Sequence, residues 1–272
     1  MRLVKSKISI TIEKSVLAEI DSIIDNIYIR NRSQAIEHLV NASLGENGTA
    51  VILAGGPENR ISIGSEYRST VKISGRSVIE GAIIKLRESG FRNIFIIARQ
   101  NVLTKIFNIL KDGSVFGVQI YYIEEKKSSG SADSLRLIKG KVKSDFLVIY
   151  GDIIFNKINI EEIWNDHLKH NALATIMMTT SPRPSEKGTL KVEGNKVLTF
   201  TQKPKQSDIY LVFAPIFVCG IEILDYSGSS LEKNVFPEIA SKNLLNGHLS
   251  SEKEIHVHTI DDVKRLEKEW TA

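Results

Sequence analysis

From residue 49 the chain alternates short, mainly apolar runs with amphipathic stretches, an order that few architectures accept. Thr49 to Ala54 is an apolar run that passes directly into Gly55-Gly56 and a polar loop, after which Val78 to Leu86 has helical spacing. Further apolar runs at Asn93 to Ala98, Val118 to Ile123 and Phe146 to Tyr150 are separated by helical segments. Strands without a polar face must be covered on both sides, so this order implies parallel βαβ units in a doubly wound sheet. Beyond Leu173 the pattern becomes hairpin-like, as in KGTLKVEGNKVLTF with a turn at Glu193-Gly194-Asn195, so the sheet is expected to be mixed.

Residues 1–45 follow a different period. Lys7 to Ile12 reads K-I-S-I-T-I, which places Ile8, Ile10 and Ile12 on one face of a short strand and Lys7, Ser9 and Thr11 on the other. In the stretch that follows, Val16, Leu17, Ile20, Ile23, Ile24 and Ile27 recur at helical spacing, with Glu13 near the favoured acidic end. Asn31 suits the N-cap of a second helix, whose apolar stripe is Ala35, Ile36, Leu39 and Val40. One strand with three isoleucines on a single face needs a partner, and a second copy would supply it. The polar break Gly45-Glu46-Asn47-Gly48 divides the chain into an expected small domain, 1–45, and a large one, 49–272.

Composition excludes several classes. Hydrophobic residues make up 42% and charged residues 25%, enough to bury a core. No apolar run approaches the roughly 18 residues a membrane span needs, and no signal-peptide core opens the chain, so a cytoplasmic protein without membrane contact is expected. The lone cysteine, Cys219, sits in the apolar stretch FAPIFVCGI and reads as a buried structural thiol, which leaves out disulfides and zinc knuckles. Lys and Arg exceed Asp and Glu by 36 to 32, which permits phosphate binding without implying a nucleic-acid coat.

The strand-helix-helix unit, with Arg32-Ser33-Gln34-Ala35 at its second helix start, resembles the ribbon-helix-helix family of Arc- and MetJ-like repressors. The resemblance implies a homodimer or higher homo-oligomer whose paired strands enter the major groove of double-stranded DNA. Lys7, Ser9 and Thr11 would face bases, while the backbone amides of Asn31, Arg32 and Ser33 would hold phosphate at the helix start. The plainer reading is a dimerisation arm alone.

The large domain carries Leu53-Ala54-Gly55-Gly56-Pro57-Glu58-Asn59-Arg60, which is neither a Walker motif nor G-x-G-x-x-G. It resembles the L-A-G-G-x-G-T-R opening of the sugar-phosphate nucleotidyltransferases. Ordered matches follow at Gly130-Ser131-Ala132, Gly151-Asp152, Gly188 and Phe200-x-x-Lys203-Pro204. The fold implied is α/β, an N-terminal ribbon-helix-helix followed by a Rossmann-like mixed-sheet nucleotidyltransferase domain of the glycosyltransferase-A type. By resemblance, Leu53, Ala54, Gly55, Gly56 and Gly130 would bind a nucleotide or sugar nucleotide, and Gly188 and Lys203 the sugar phosphate. Arg60, Arg68 and Asp152 would serve the reaction, with Asp152 also holding Mg²⁺.

Departures from the motif bear on activity. Arg68 stands where the family has lysine and Gln202 where it has glutamate. Glu58 replaces the last glycine of the loop and is expected to repel a triphosphate, and His256 stands at the second metal-binding aspartate. Simpler readings exist for each residue: Asp152 as a turn residue, Arg60 as a partner for Glu58, His256 and His258 as surface or packing residues. Together the departures favour a dimeric DNA-binding regulator whose second domain binds a nucleotide or sugar nucleotide with degenerate catalysis. The runner-up is an active sugar-1-phosphate nucleotidyltransferase with a dimerising or autoregulatory arm.

Overall fold

The computed structural model describes residues 8–24, 29–36, 39, 48–127, 129–170 and 172–271. The chain divides into two compact units, residues 1–46 and residues 47–272.

Among the described residues of the first unit the expected strand is not formed. Residues 8–13 carry no strand, and Lys7 lies outside the described residues. A ribbon of that kind takes its ladder from another copy, and in the single chain Ile8 and Ile10 are 74% and 54% exposed. Helix α1 spans Lys14–Ser22, shorter than its apolar stripe, and buries Ile20. Helix α2 covers residues 32–36 and begins where expected, because Asn31 caps it: Asn31 Oδ1 accepts from Gln34 N at 3.0 Å. Arg32, whose backbone amide was expected at phosphate, uses its side chain for a two-pronged pair with Asp21 of α1, both contacts 2.7 Å. Ser9, Thr11 and Ser33 are exposed.

The second unit is built on a nine-stranded sheet. Its first half is the parallel set expected from the apolar runs: β1 (Thr49–Leu53), β6 (Asn93–Ala98), β7 (Gln119–Glu124) and β8 (Phe146–Tyr150). β1 lies between β6 and β8, and β7 flanks β6. The mixed half adds β13 (Leu211–Cys219), antiparallel to β8, then β10 (Ala174–Thr180) against β13 and β14 (Leu245–Leu249) parallel to β10. The expected hairpin is β11 (Gly188–Glu193) with β12 (Lys196–Gln202). Cys219 is fully buried on β13, and burial pushes its thiol well above the ordinary range, in keeping with a structural role.

Strand residues alternate between two cores. Ala50, Ile52, Ile94 and Ile96 face one layer with helices α4 (Val78–Glu88), α5 (Gln100–Leu110) and α7 (Ile160–His170). Val51, Leu53, Ile97 and Val148 face the other with α6 (Ser131–Arg136) and α8 (Phe236–Ser241). Each fully buried isoleucine contributes about 1.5–3 kcal/mol, which is why these runs tolerate no polar face. Ser77 caps α4 through a reciprocal box with Glu80, fixing where the helix leaves the loop.

Three two-stranded ribbons decorate the sheet: β2 (Ser62–Ile63) with β3 (Glu66–Tyr67), β4 (Lys72–Ile73) with β5 (Arg76–Ser77), and β9 (Ile153–Ile154) with β15 (Ile255–His256). The short helix α3 (Glu58–Ile61) precedes the first, and α9 (Ile260–Thr271) follows the last. Among the described residues no helix is long and apolar enough to cross a membrane.

Candidate active site

The carboxyl ends of β1, β6 and β8 open onto a cleft, the place where open α/β sheets hold ligands. Two cavities meet there. One, of about 280 Å³, is lined by Gly55, Gly56, Arg60, Arg99, Gly130 and Tyr150, among others. Its neighbour, of about 120 Å³, shares Leu53, Gly55 and Tyr150 and adds Ala54, Arg68 and Asp152. The glycine loop is thus the common wall between an arginine-lined chamber and an arginine-aspartate chamber.

Close packing explains the glycines. A Cβ on Gly55 would lie 2.3 Å from Glu125 Oε2, and Gly56 takes φ +115°, which a side chain would strain. Glu125 lies buried beneath the loop, accepts from Gly56 N at 3.1 Å and from the Ser134 hydroxyl, and so occupies one amide that was expected to hold phosphate. A Cβ on Gly151 would lie 2.8 Å from that of Ala54, just past the ends of the paired parallel strands β1 and β8. Gly130 admits the Ser229 carbonyl, which a Cβ would meet at 2.6 Å and which accepts from Ala132 N at 2.9 Å. Tyr150 donates to Glu232, itself held by Ser131 Oγ at 2.7 Å; burial, then the Glu232 charge, pushes the phenol well above its ordinary range.

The arginine expectations fare differently from the Glu58 expectation. Arg60 is exposed at the rim of the larger chamber. Arg68 Nη1 donates to Asp152 Oδ2 at 3.2 Å, and its buried Nε has no partner. The expected repulsion from Glu58 is overturned. Its carboxylate accepts from Tyr67 OH at 3.2 Å and from Asn101 Nδ2 at 3.1 Å, lines neither chamber, and serves neither as repeller nor as the partner of Arg60. Glu58→Gln should therefore leave kcat/KM for NTP within about twofold, the range of a surface change. A tenfold rise in steady-state assays would restore the repulsion argument.

Asp152 is no mere turn residue, and His256 and His258 are no mere surface residues. The antiparallel β9–β15 pairing sets His256 opposite Ile153, and Val257 N donates to the Asp152 carbonyl at 2.9 Å. His258 Nε2 lies 3.3 Å from Asp152 Oδ2, and ligand atoms of Asp152, His256 and His258 all fall within 4.8 Å of one another. Burial disfavours the Asp152 anion, but His258, His256 and Arg68 outweigh it and hold the carboxyl below its usual range. Behind them, Glu254 has a wholly buried side chain, paired with Lys187 Nζ at 2.5 Å and with His256 Nε2 at 3.0 Å. This donor set does not fit Mg²⁺, which favours oxygen ligands in an octahedron, whereas two of the three groups here are imidazoles.

The sugar-side expectations lie apart from these chambers. Lys203 is exposed at the end of the β11–β12 hairpin, with its N–H donating to Lys187 O at 3.0 Å, and it lines neither chamber. Gly188 admits Phe200 and Gln202, which a Cβ would meet at 2.5 and 2.8 Å. Sequence reasoning missed Arg99, Glu125, Lys187 and Glu254. Of these only Arg99 left a signal, a cation directly after a buried strand.

Residues 49–259 match the family described as "Nucleotidyl transferase". The chain is 30% identical over 206 residues to an Oryza sativa subsp. japonica protein named "Probable mannose-1-phosphate guanylyltransferase 1", covering 71% of this chain and 56% of that one. It is 26% identical over 183 residues to a Yarrowia lipolytica protein named "Mannose-1-phosphate guanyltransferase", covering 64% and 50%. The chain thus spans about half the length of the curated relatives it matches. A Bacillus anthracis structure assigned as a glucose-1-phosphate thymidylyltransferase superposes with a TM-score of 0.71 at 20% identity, covering 81% and 94%, and shows the shared fold. The guanylyltransferase relatives overturn the favoured reading of a DNA-binding regulator with degenerate catalysis, since their names describe nucleotidyl transfer.

Proposed function

The chain belongs to the nucleotidyl transferase family, and on that footing we propose that it joins a nucleoside triphosphate to a sugar 1-phosphate. An oxygen of the sugar phosphate attacks the α-phosphorus, a new P–O bond forms, and the α–β bridging bond breaks with its electron pair leaving on pyrophosphate. The observation that carries this reading is the paired chamber at the strand ends, where a glycine-walled cleft brings Arg60, Arg68 and Arg99 to one place. Such a reaction asks mainly for positioning and charge neutralisation, which rigid guanidinium groups provide. The larger chamber, with Gly130 and Arg99, would take the nucleotide; Arg68, held by Asp152, would face the reacting phosphorus. Lys203 and Gly188, on their hairpin, are proposed for the sugar side.

Arg99→Ala should raise KM for NTP about tenfold with kcat nearly unchanged, because Arg99 lines the nucleotide chamber away from Asp152. An equal loss in kcat would place Arg99 at the reacting phosphorus instead. The transfer itself is tested by incubating the protein with GTP, dTTP, UTP, ATP or CTP and mannose or glucose 1-phosphate, with Mg²⁺, Mn²⁺ or Co²⁺ in separate arms. Pyrophosphate that forms only when both substrates are present supports the proposal, and its absence from every arm refutes it.

Residues 1–45 are proposed as an arm through which copies pair in the ribbon-helix-helix manner, with 49–272 as the transferase domain. The exposed Ile8 and Ile10 support this, because large apolar side chains left in water favour association. Ile8→Asp combined with Ile10→Asp should lower the solution mass measured by light scattering and leave turnover in place. An unchanged mass would refute the arm.

A further inference from the structure

We infer that Asp152, His256 and His258 bind a first-row transition ion, such as Zn²⁺ or Co²⁺, in preference to Mg²⁺. The ribbon of β9 and β15 delivers one carboxylate and two imidazoles whose ligand atoms lie within 4.8 Å of one another. The two rings stand side by side, with centroids 5.0 Å apart. One carboxylate with two histidines is a donor set that suits imidazole-loving divalent ions and not a cation that keeps oxygen neighbours.

The surroundings prepare the site. His256 Nε2 faces Glu254 Oε1 at 3.0 Å, so the carboxylate holds the proton on Nε2 and leaves Nδ1 with its lone pair. That Nδ1 is buried and has no hydrogen-bond partner. A buried carboxylate behind a histidine is the arrangement that fixes tautomer and ring direction for a metal. Lys187, paired with the same oxygen at 2.5 Å, balances the Glu254 charge and keeps it in place. The contacts from Arg68 and His258 to Asp152 both fall on Oδ2, at 3.2 and 3.3 Å, which holds the carboxylate beside the two rings.

The inference concerns the same cleft as the proposed transfer and rests on that reading for its place in catalysis, but ion binding is measured without substrate. The full chain, stripped with chelator, is titrated with Zn²⁺, Mn²⁺ and Mg²⁺ by calorimetry and with Co²⁺ by visible absorption. Zn²⁺ and Co²⁺ should bind about 100-fold or more tighter than Mg²⁺, with a Co²⁺ spectrum showing nitrogen ligation. His258 is half-exposed, so His258→Ala keeps the fold, and it should weaken Zn²⁺ at least about tenfold, as should His256→Ala. Glu254→Gln, acting through His256, should weaken Zn²⁺ about tenfold and alter the Co²⁺ spectrum. Equal affinity for Mg²⁺ and Zn²⁺ would overturn the inference. So would Zn²⁺ binding that survives His258→Ala but is lost in His248→Ala, which would move the ion to His248 beside Asp166 and Glu162. Product formation with Mg²⁺ and no transition-ion binding sinks this inference and leaves the transfer intact; tight Zn²⁺ binding without product under any ion does the reverse.

Discussion

Arg68→Ala lowers kcat/KM for nucleotidyl transfer by about 10²–10³-fold, the size expected when one preorganised charge at a developing anion is removed. Arg68 lines the smaller chamber and is held by Asp152 at 3.2 Å, with its Nε buried and unpaired. A group so placed meets a phosphate without first having to be ordered, and the loss should fall on kcat more than on KM. Arg68→Lys should recover only part of it, since the charge returns without the fork. Asp152→Asn should cost less, about 10-fold to 10²-fold, because the guanidinium stays but loses its anchor. Both groups are about a quarter exposed, at 25% and 23%, so the pair adds little to stability, about 1 kcal/mol or less. Unchanged melting with lost turnover is therefore the signature to look for. A KM effect alone, with kcat intact, would remove Arg68 from the reacting centre.

Gly55→Ala is expected to damage both fold and function. Its Cβ would lie 2.3 Å from Glu125 Oε2 and 2.9 Å from Glu125 Cδ, closer than any real contact. Glu125 cannot swing away easily, since it is 2% exposed and accepts from Gly56 N and from Ser134. Overpacking of this kind costs about 1–3 kcal/mol, and each kcal/mol moves Tm about 2–4 °C in a domain of this size. The strain shifts the loop that divides the chambers, and a displacement of about 1 Å there can cost about 10²-fold in rate. Glu125→Asp, with its shorter side chain, should restore part of the melting temperature in the Gly55→Ala background while destabilising the wild type. Such opposite signs show direct coupling. Strictly additive effects would mean that the loop relaxes by another route.

The parallel half of the sheet was legible because its signal is local: β6 and β8 coincide with the apolar runs at residues 93–98 and 146–150, and α4 starts at the expected Val78. Asn31 was legible as a cap for the same reason, one side chain serving an amide three residues on. The glycine loop and Asp152 were legible through their motif. What could not be read was direction. Glu58 sits at the loop position that threatens phosphate, yet it turns toward Asn101, a choice set by where α5 packs. The alternation E-I-H-V-H at residues 254–258 was visible, but its meaning depends on Asp152, brought in by the β9–β15 pairing, and on Lys187, brought in by an ion pair with Glu254, both from distant stretches of chain. Arg32 shows the same limit, since its partner Asp21 comes from helix packing and not from spacing.

The central claim is that this cleft transfers a nucleoside monophosphate to a sugar phosphate, and following the α-phosphorus tests it most directly. The full chain is incubated with an NTP labelled at the α-phosphate and a sugar 1-phosphate, and the products are separated by anion exchange. The account predicts that label moves into a sugar nucleotide, with an equal amount of unlabelled pyrophosphate, and that Arg68→Ala all but abolishes the transfer. Label that remains in the triphosphate, or appears only as nucleoside monophosphate or diphosphate whether or not sugar phosphate is present, would contradict it.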